Sequence, residues 1–203
     1  MSRTIFKDIH DDWKLVKNVC RTTVGKKFTD NEPSEQFKKA MLICEHSPIR
    51  LLTFFWEWDG IKSWIATHWA RHMWTPFIST QREDRVNDGL PRDEKPQGAK
   101  VLFNGYANMQ NCIDTWRKRL CYQASPETRM YAEDFKRTLA ETHEAEAAVL
   151  VPNCIYRCGC PEFTPCGRWD AFWKWICHNH ADADIFDIQT RYDLYNEWIE
   201  GEK

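Results

Sequence analysis

Nothing in this sequence of 203 residues stays apolar for long. The longest such runs, Leu51 to Phe55 and Ala147 to Val151, fall far short of the roughly 20 residues that a membrane-spanning helix requires. Charge of one sign is missing too. The 28 Lys and Arg against 30 Asp and Glu leave a formal net charge of −2, so no overall field draws the chain to nucleic acid or an anionic membrane, and any phosphate recognition has to be local. Paired CxxC knuckles are absent, and the nine cysteines, an odd number, do not form the dense framework of a small secreted fold. Most are expected to be reduced and buried. The charged opening, MSRTIFKDIHDDWKLVKN, reads against a signal peptide and points to the cytoplasm, that of the host if the source is viral. There is no internal repeat or low-complexity segment, and the length suits one domain spanning 1–203.

What the chain has in excess is tryptophan, eleven in all. Trp56, Trp58, Trp64, Trp69, Trp74 and Trp116 flank nearly every polar motif. Aromatics at helical or strand spacing usually bury area, so core and subunit-interface packing is favoured over ring stacking on a ligand. Residues 1–33 are polar with weak helical periodicity (Trp13, Val16, Cys20) and end in the breaker cluster Asp30-Asn31-Glu32-Pro33. A short helix is predicted over Gln36 to Glu45. The β-formers from Leu51 to Trp58 predict a strand with Asp59-Gly60 as its turn, and Ile61 to Met73 reads as a helix ended by Pro76. Residues 83–98 read as a loop. Asn108 to Gln123 is predicted helical, with Met109, Cys112, Ile113, Trp116 and Leu120 on one face. Ser125-Pro126-Glu127 looks like an N-cap followed by proline at the first helical position, opening a helix to about Glu146. Gly, Pro and Cys dominate 152–168, and two helices close the chain.

Two arginines, a histidine and two hydroxyls fall within Arg71-His72 and Ser79-Thr80-Gln81-Arg82. The guanidinium fork matches phosphate geometry, and hydroxyls complete a shell around the remaining oxygens. His68 and His72 share the i, i+4 spacing of a zinc protease, but Trp69 stands where that motif needs its glutamate, and Arg71 would repel a dication. Cys154, Cys158, Cys160 and Cys166 supply four thiols in a turn-rich segment; the spacing leaves a structural metal, packed free thiols and a facultative disulfide all open. On the helix after Asn108, Asp114 and Lys118 suit an i, i+4 pair. That pairing does not explain why Arg119 sits between apolar Trp116 and Leu120, where a phosphate or a ring carbonyl would give it a partner.

His46-Ser47-Pro48, the strand, the helix from Ile61, Arg71-His72, Ser79 to Arg82, the run NMQNCIDTWRKRLCYQASPETR and the segment from Pro152 to Gly167 occur in one order. That order resembles the flavin-dependent thymidylate synthases, in a compact, phage-type form. Residues 33–168 carry the resemblance, and 169–203 read as a helical C-terminal extension. The resemblance implies an α+β fold, an antiparallel sheet flanked by long helices like that of the thymidylate synthase-complementing proteins, assembled as a homotetramer. It implies methylation of dUMP to dTMP, with FAD as cofactor, methylenetetrahydrofolate as one-carbon donor and NADPH as reductant, and no nucleic-acid or membrane partner. Arg119 and Ser79 would carry catalysis. Arg71, Ser79, Thr80, Gln81, Arg82, His68 and Arg119 would bind the nucleotide, and His46, Ser47, Arg71, His72, Asn108 and Asp114 the flavin.

The pattern also departs from the family. Met73 stands where a second arginine is expected, the loop to Arg82 is short, and Glu83 replaces a tyrosine. His68 takes the place of a nucleotide-binding glutamine, Asp114 that of an asparagine and Gln123 that of a histidine, and a central helical segment with another arginine is missing. Two alternatives therefore stand beside thymidylate synthesis. One is a diverged flavin enzyme that modifies another pyrimidine nucleotide, for example by hydroxymethylation. The other is a non-catalytic nucleotide-binding homologue.

Overall fold

The computed structural model describes residues 4–86 and 89–201. In chain order the elements are β1 (Thr4–His10), α1 (Trp13–Thr23), α2 (Glu35–Ile43), a 3-10 turn at Ser47–Leu51, β2 (Thr53–Lys62), α3 (Ser63–Trp69) and β3 (Thr75–Ile78). They continue with α4 (Glu83–Val86), a 3-10 turn at Arg92–Glu94, β4 (Lys100–Asn108), α5 (Met109–Arg119), α6 (Pro126–Ala140), α7 (Glu144–Ala148), α8 (Asn153–Tyr156), α9 (Arg168–Asn179) and α10 (Ile188–Gly201). The strands form one antiparallel sheet in the order β1-β2-β4-β3. The fold class is thus α+β, as expected. None of the described helices is long and apolar enough to cross a membrane.

Alternation places Phe54, Trp56, Trp58 and Ile61 of β2 and Val101, Phe103, Gly105 and Ala107 of β4 on one buried face. Trp69 of α3, Trp116 of α5 and Phe135 of α6 cover it. Ring centroids lie 4.8 Å apart for Trp58 and Trp69, 5.3 Å for Trp69 and Trp116, and 4.2 Å for Trp116 and Phe135. Trp56, Trp58, Trp69 and Trp116 are core, as expected, whereas Trp173 is exposed. The opposite face keeps Ile5, Phe77, Leu102 and Tyr106 exposed. Gly105 is required where it stands: a Cβ there would lie 2.2 Å from Cζ2 of Trp56, the residue paired with it across the sheet.

The helices with local signals form where predicted. Asn108 caps α5, its side-chain oxygen accepting from Asn111 N at 2.9 Å, and the predicted face Met109, Cys112, Ile113, Trp116 and Leu120 is buried. Ser125 caps α6 by accepting from Thr128 N, with Pro126 first in the helix. Four expectations are corrected. α5 stops at Arg119 rather than Gln123, and α6 stops at Ala140, with α7 separate from it. β2 runs through Asp59-Gly60, which forms not a hairpin turn but a register shift between Trp58 and Ile61, made possible by φ +68° at Gly60. α3 ends at Trp69 rather than Met73 because side chains from elsewhere take its last carbonyls: Trp74 Nε1 donates to Trp69 O at 2.7 Å and Arg119 Nη2 to His68 O at 2.5 Å. β1, β3 and β4 were not foreseen, and Pro76, read as a helix stop, sits in the edge strand β3, where a missing N–H is tolerated. Within 83–98 only the short turns Glu83–Val86 and Arg92–Glu94 are helical among the described residues.

Gly105→Ala should therefore destabilise the protein by about 1–3 kcal/mol, the range for overpacking a filled core. Chemical denaturation followed by tryptophan fluorescence measures this, and a midpoint equal to the parent's would show that Trp56 can move aside freely.

Candidate active site

The residues expected to form the site fall into three groups, and the anion-binding kit itself is split between the first two. The first gathers where α3 and α5 end. Arg119, the last residue of α5, donates from Nε to His72 Nε2 at 2.7 Å while its Nη2 holds the His68 carbonyl. Its Nη1 has no hydrogen-bond partner among the described residues, and its guanidinium lies 6.0 Å from the Trp69 ring. Arg71 is exposed in the bend after α3 and close enough to act on both Arg119 and His68. Neither arginine has a carboxylate partner among the described residues.

Two neutral imidazoles line this cationic basin. Burial, and then Arg119, lowers the His72 pKa from 6.5 to about 4, so His72 is a neutral acceptor at Nε2 with its proton on Nδ1. His68 is lowered by burial, then by Arg119 and Arg71. Its Nδ1 lies 3.0 Å from Thr128 Oγ1, which in turn lies 2.8 Å from Ser125 Oγ, so the N-terminus of α6 orients the ring. Nothing local in the sequence signals Thr128 in that role, since 60 residues separate it from His68. Burial, and then repulsion from Arg71, lowers the Arg119 pKa; an anion between the two arginines relieves that repulsion.

The second group stands at the other end of β3. A four-residue strand spans about 13 Å, and beyond it Ser79 continues the pairing with β4, donating N–H to Leu102 O and accepting from Leu102 N, each at 2.9 Å. Thr80 Oγ1 accepts from Arg82 N at 3.2 Å. Arg82, expected to hold phosphate, instead grips Asp84 with Nε and Nη2 at 2.9 and 2.7 Å. Ser79, Thr80 and Gln81 border a cavity of 430 Å³ that Arg82 does not line.

The third group lies along α5 and the turn before β2. His46 and Ser47 open the 3-10 turn that packs against α5, and Asn108 is occupied as the cap of that helix. Asp114 pairs with Arg117 at 3.2 Å, not with Lys118, which instead approaches Glu162 at 3.9 Å. Arg117 also binds Glu45 and lies 3.5 Å over the Tyr156 ring, so this part of the basic triplet joins α5 to α8 and to residue 45. Met73, at 86% exposure, faces solvent.

The cysteines correct another expectation: all nine are free thiols, but only Cys112, Cys121 and Cys154 are buried. Among the described residues no three His, Cys, Asp or Glu side chains are arranged to hold a metal ion. Cys158 Sγ is directed to Ile185 O at 4.0 Å, and burial and then neighbouring thiols push the Cys154 thiol up to about 12. Cys121, not foreseen in this cluster, lies near Cys154, Cys160 and Cys166.

No protein-family model matches the sequence, and no curated protein matches it. Solved structures do. Thymidylate synthase X from Helicobacter pylori, solved with FAD and dUMP, superposes with a TM-score of 0.61 at 12% identity, over 74% of this chain and 99% of that one. The fold is that of the flavin-dependent thymidylate synthases. A UMP/dUMP methylase, PolB from Streptomyces cacaoi, bound with 5-Br dUMP, superposes with a TM-score of 0.59 at 11% identity, over 73% of this chain and 94% of that one.

The His72 environment gives a signed pH dependence. With the folded pKa below the unfolded one, the unfolded chain binds more protons between the two values, so this contribution to stability is present above about 6.5 and lost as pH falls toward 4. Denaturation curves across that window should slope less for His72→Gln than for the parent. Equal slopes would mean that His72 remains solvated on folding.

Proposed function

We propose that the protein is a flavin-dependent enzyme that methylates the uracil ring of dUMP to give dTMP. The observation that carries this reading is the pair Arg71 and Arg119, without a carboxylate partner among the described residues and held against two neutral histidines, in a chain with this fold. Adding a one-carbon unit to uracil places negative charge on the ring carbonyls, and a fixed cation in a partly desolvated site stabilises it without reorganisation. Arg119 is in position for this, with two nitrogens anchored and Nη1 available. Arg71 would meet the same ligand from solvent, and His68, oriented by Thr128, would contact the base. Ser79 would contribute its hydroxyl to the nucleotide phosphate.

The basin suits FAD on chemical grounds, because two cations lacking acidic partners beside indole rings favour an electron-rich, anionic aromatic group. Arg71 and His72 would hold the flavin there, with His46, Ser47, Asn108 and Asp114 along the rest of the cofactor. When bound and reduced, FAD supplies the hydride that completes the methyl group, with methylenetetrahydrofolate as one-carbon source and NADPH as reductant. The β3 end and the α5 face stand apart from the basin, which supports a homotetramer in which subunits complete one another's sites. The exposed Ile5, Phe77, Leu102 and Tyr106 on the open sheet face supply an apolar surface for such contacts.

A second reading, modification of another pyrimidine nucleotide, draws on His68 in place of glutamine and on the structural likeness to an enzyme named for both UMP and dUMP. The purified protein should be yellow, or become so with FAD, at close to one flavin per chain. Colourless protein that FAD cannot load would remove both flavin readings and favour a non-catalytic nucleotide-binding homologue. Expression should rescue a thymidine-requiring strain. Arg119→Ala should abolish rescue, lowering turnover by about 10²–10³-fold, the scale for losing one charge-stabilising donor, with the circular dichroism spectrum unchanged. Flavin-loaded parent protein that fails to rescue would favour the second reading.

A further inference from the structure

His68 stands at one end of a hydrogen-bond chain that leads out of the basin. Its Nδ1 lies 3.0 Å from Thr128 Oγ1, and Thr128 Oγ1 lies 2.8 Å from Ser125 Oγ. Thr128 is wholly buried, whereas Ser125, the cap of α6, is half-buried and reaches the surface. The Trp64 indole meets the imidazole edge-on with centroids 5.5 Å apart, so the ring plane is held as well. Nε2, on the other side of the ring from Thr128, has no hydrogen-bond partner among the described residues.

A carbonyl or a carboxylate at Nδ1 would lock one tautomer, but a hydroxyl both donates and accepts. Two hydroxyls in series can reverse together by turning their O–H bonds, with no polar group left unsatisfied. His72 lacks this freedom, because Arg119 Nε already donates to its Nε2. The starting polarity follows from charge. Arg119 and Arg71 both act on His68, and two full positive charges outweigh roughly half a charge at the N-terminus of α6, so the lone pair of the ring faces the arginines and its proton sits on Nδ1. Burial, and then the same two cations, lower the His68 pKa and disfavour an imidazolium. A proton is therefore taken at Nε2 most readily if another is given up at Nδ1.

We propose that His68 is the base that removes the C5 proton of the pyrimidine, and that Thr128 and Ser125 carry the displaced Nδ1 proton to solvent. The source of the proton rests on the methylation reading, since a methyl group replaces hydrogen at C5 only if that hydrogen leaves. In the step, the C5–H bond breaks and its electron pair returns to the ring as the proton bonds to Nε2. The Nδ1 proton passes to Thr128 Oγ1, the Thr128 proton to Ser125 Oγ, and the Ser125 proton to water. His68 ends neutral, as the other tautomer, and water entering the basin after product release resets it. Neither arginine has a carboxylate partner among the described residues and His72 is occupied, which leaves His68 as the base of the basin.

The test follows tritium release from dUMP tritiated at C5, in single turnovers of the flavin-loaded full chain, beside dUMP affinity. Thr128→Val should slow release about 10²-fold, the scale of general base catalysis, with the Kd for dUMP unchanged. Thr128→Ser, which keeps the hydroxyl, should restore most of the rate. Release at the parent rate in Thr128→Val, dUMP affinity lost in step with the rate, or Thr128→Ser as slow as Thr128→Val would each overturn the proposal. Ring-nitrogen NMR of His68 tests the chain without turnover. At neutral pH the proton should sit on Nδ1 in the parent and on Nε2 in Thr128→Val, where Nδ1 has lost its acceptor. That change of tautomer in a parent protein that releases no tritium supports the relay and counts against dUMP methylation. A parent proton on Nε2, or one tautomer in both proteins, would overturn the relay whatever the enzyme does.

Discussion

The architecture depends on one close approach, the indole of Trp56 laid over Gly105 on the neighbouring strand. No larger side chain fits at 105 without displacing the ring, and the ring is the hub of the aromatic layer, with Trp74 at 4.7 Å and Phe135 at 5.0 Å. That layer joins the sheet to α3, α5 and α6. Because α3 and α5 both rest on it, their C-terminal ends meet, and Arg119 can reach the carbonyl of His68 and the ring of His72. The cationic basin thus follows from packing rather than from any local motif.

What could be read in the sequence is what depends on local rules. The capped starts of α5 and α6, their apolar faces and the closing pair α9 and α10 follow from side chains within a few residues of one another. The strands were harder, because their stability comes from partners. In β4 the inward position 105 is glycine, which breaks the visible alternation for a reason that only the Trp56 contact explains. Asp59-Gly60 has the composition of a hairpin turn but produces a register shift inside a continuing strand. The end of α3 is set by Trp74 and Arg119, the second of them 51 residues from the carbonyl it takes.

The candidate residues were legible in the sequence more than their arrangement was. Arg71, His72, His68 and Arg119 stand out from the chain itself, and the fold brings them together. The puzzle of Arg119 between Trp116 and Leu120 has a structural answer in the end of α3. Ser79 to Arg82, so near Arg71 in sequence, is carried away by the extended backbone of β3, and Asp84 takes the arginine that the motif reserves for phosphate.

Trp74 has two roles at once: its ring belongs to the aromatic layer, and its N–H closes the end of α3. The bend that presents Arg71 and His72 is therefore anchored on both sides, by α3 before it and by Trp74 after it. Such a bend is preorganised. A ligand entering the basin would have little backbone to freeze, and the main ordering cost would fall on the Arg71 side chain, about 2 kcal/mol of rotamer freedom. Binding strength here would then be governed by how fully the ligand engages that one exposed arginine.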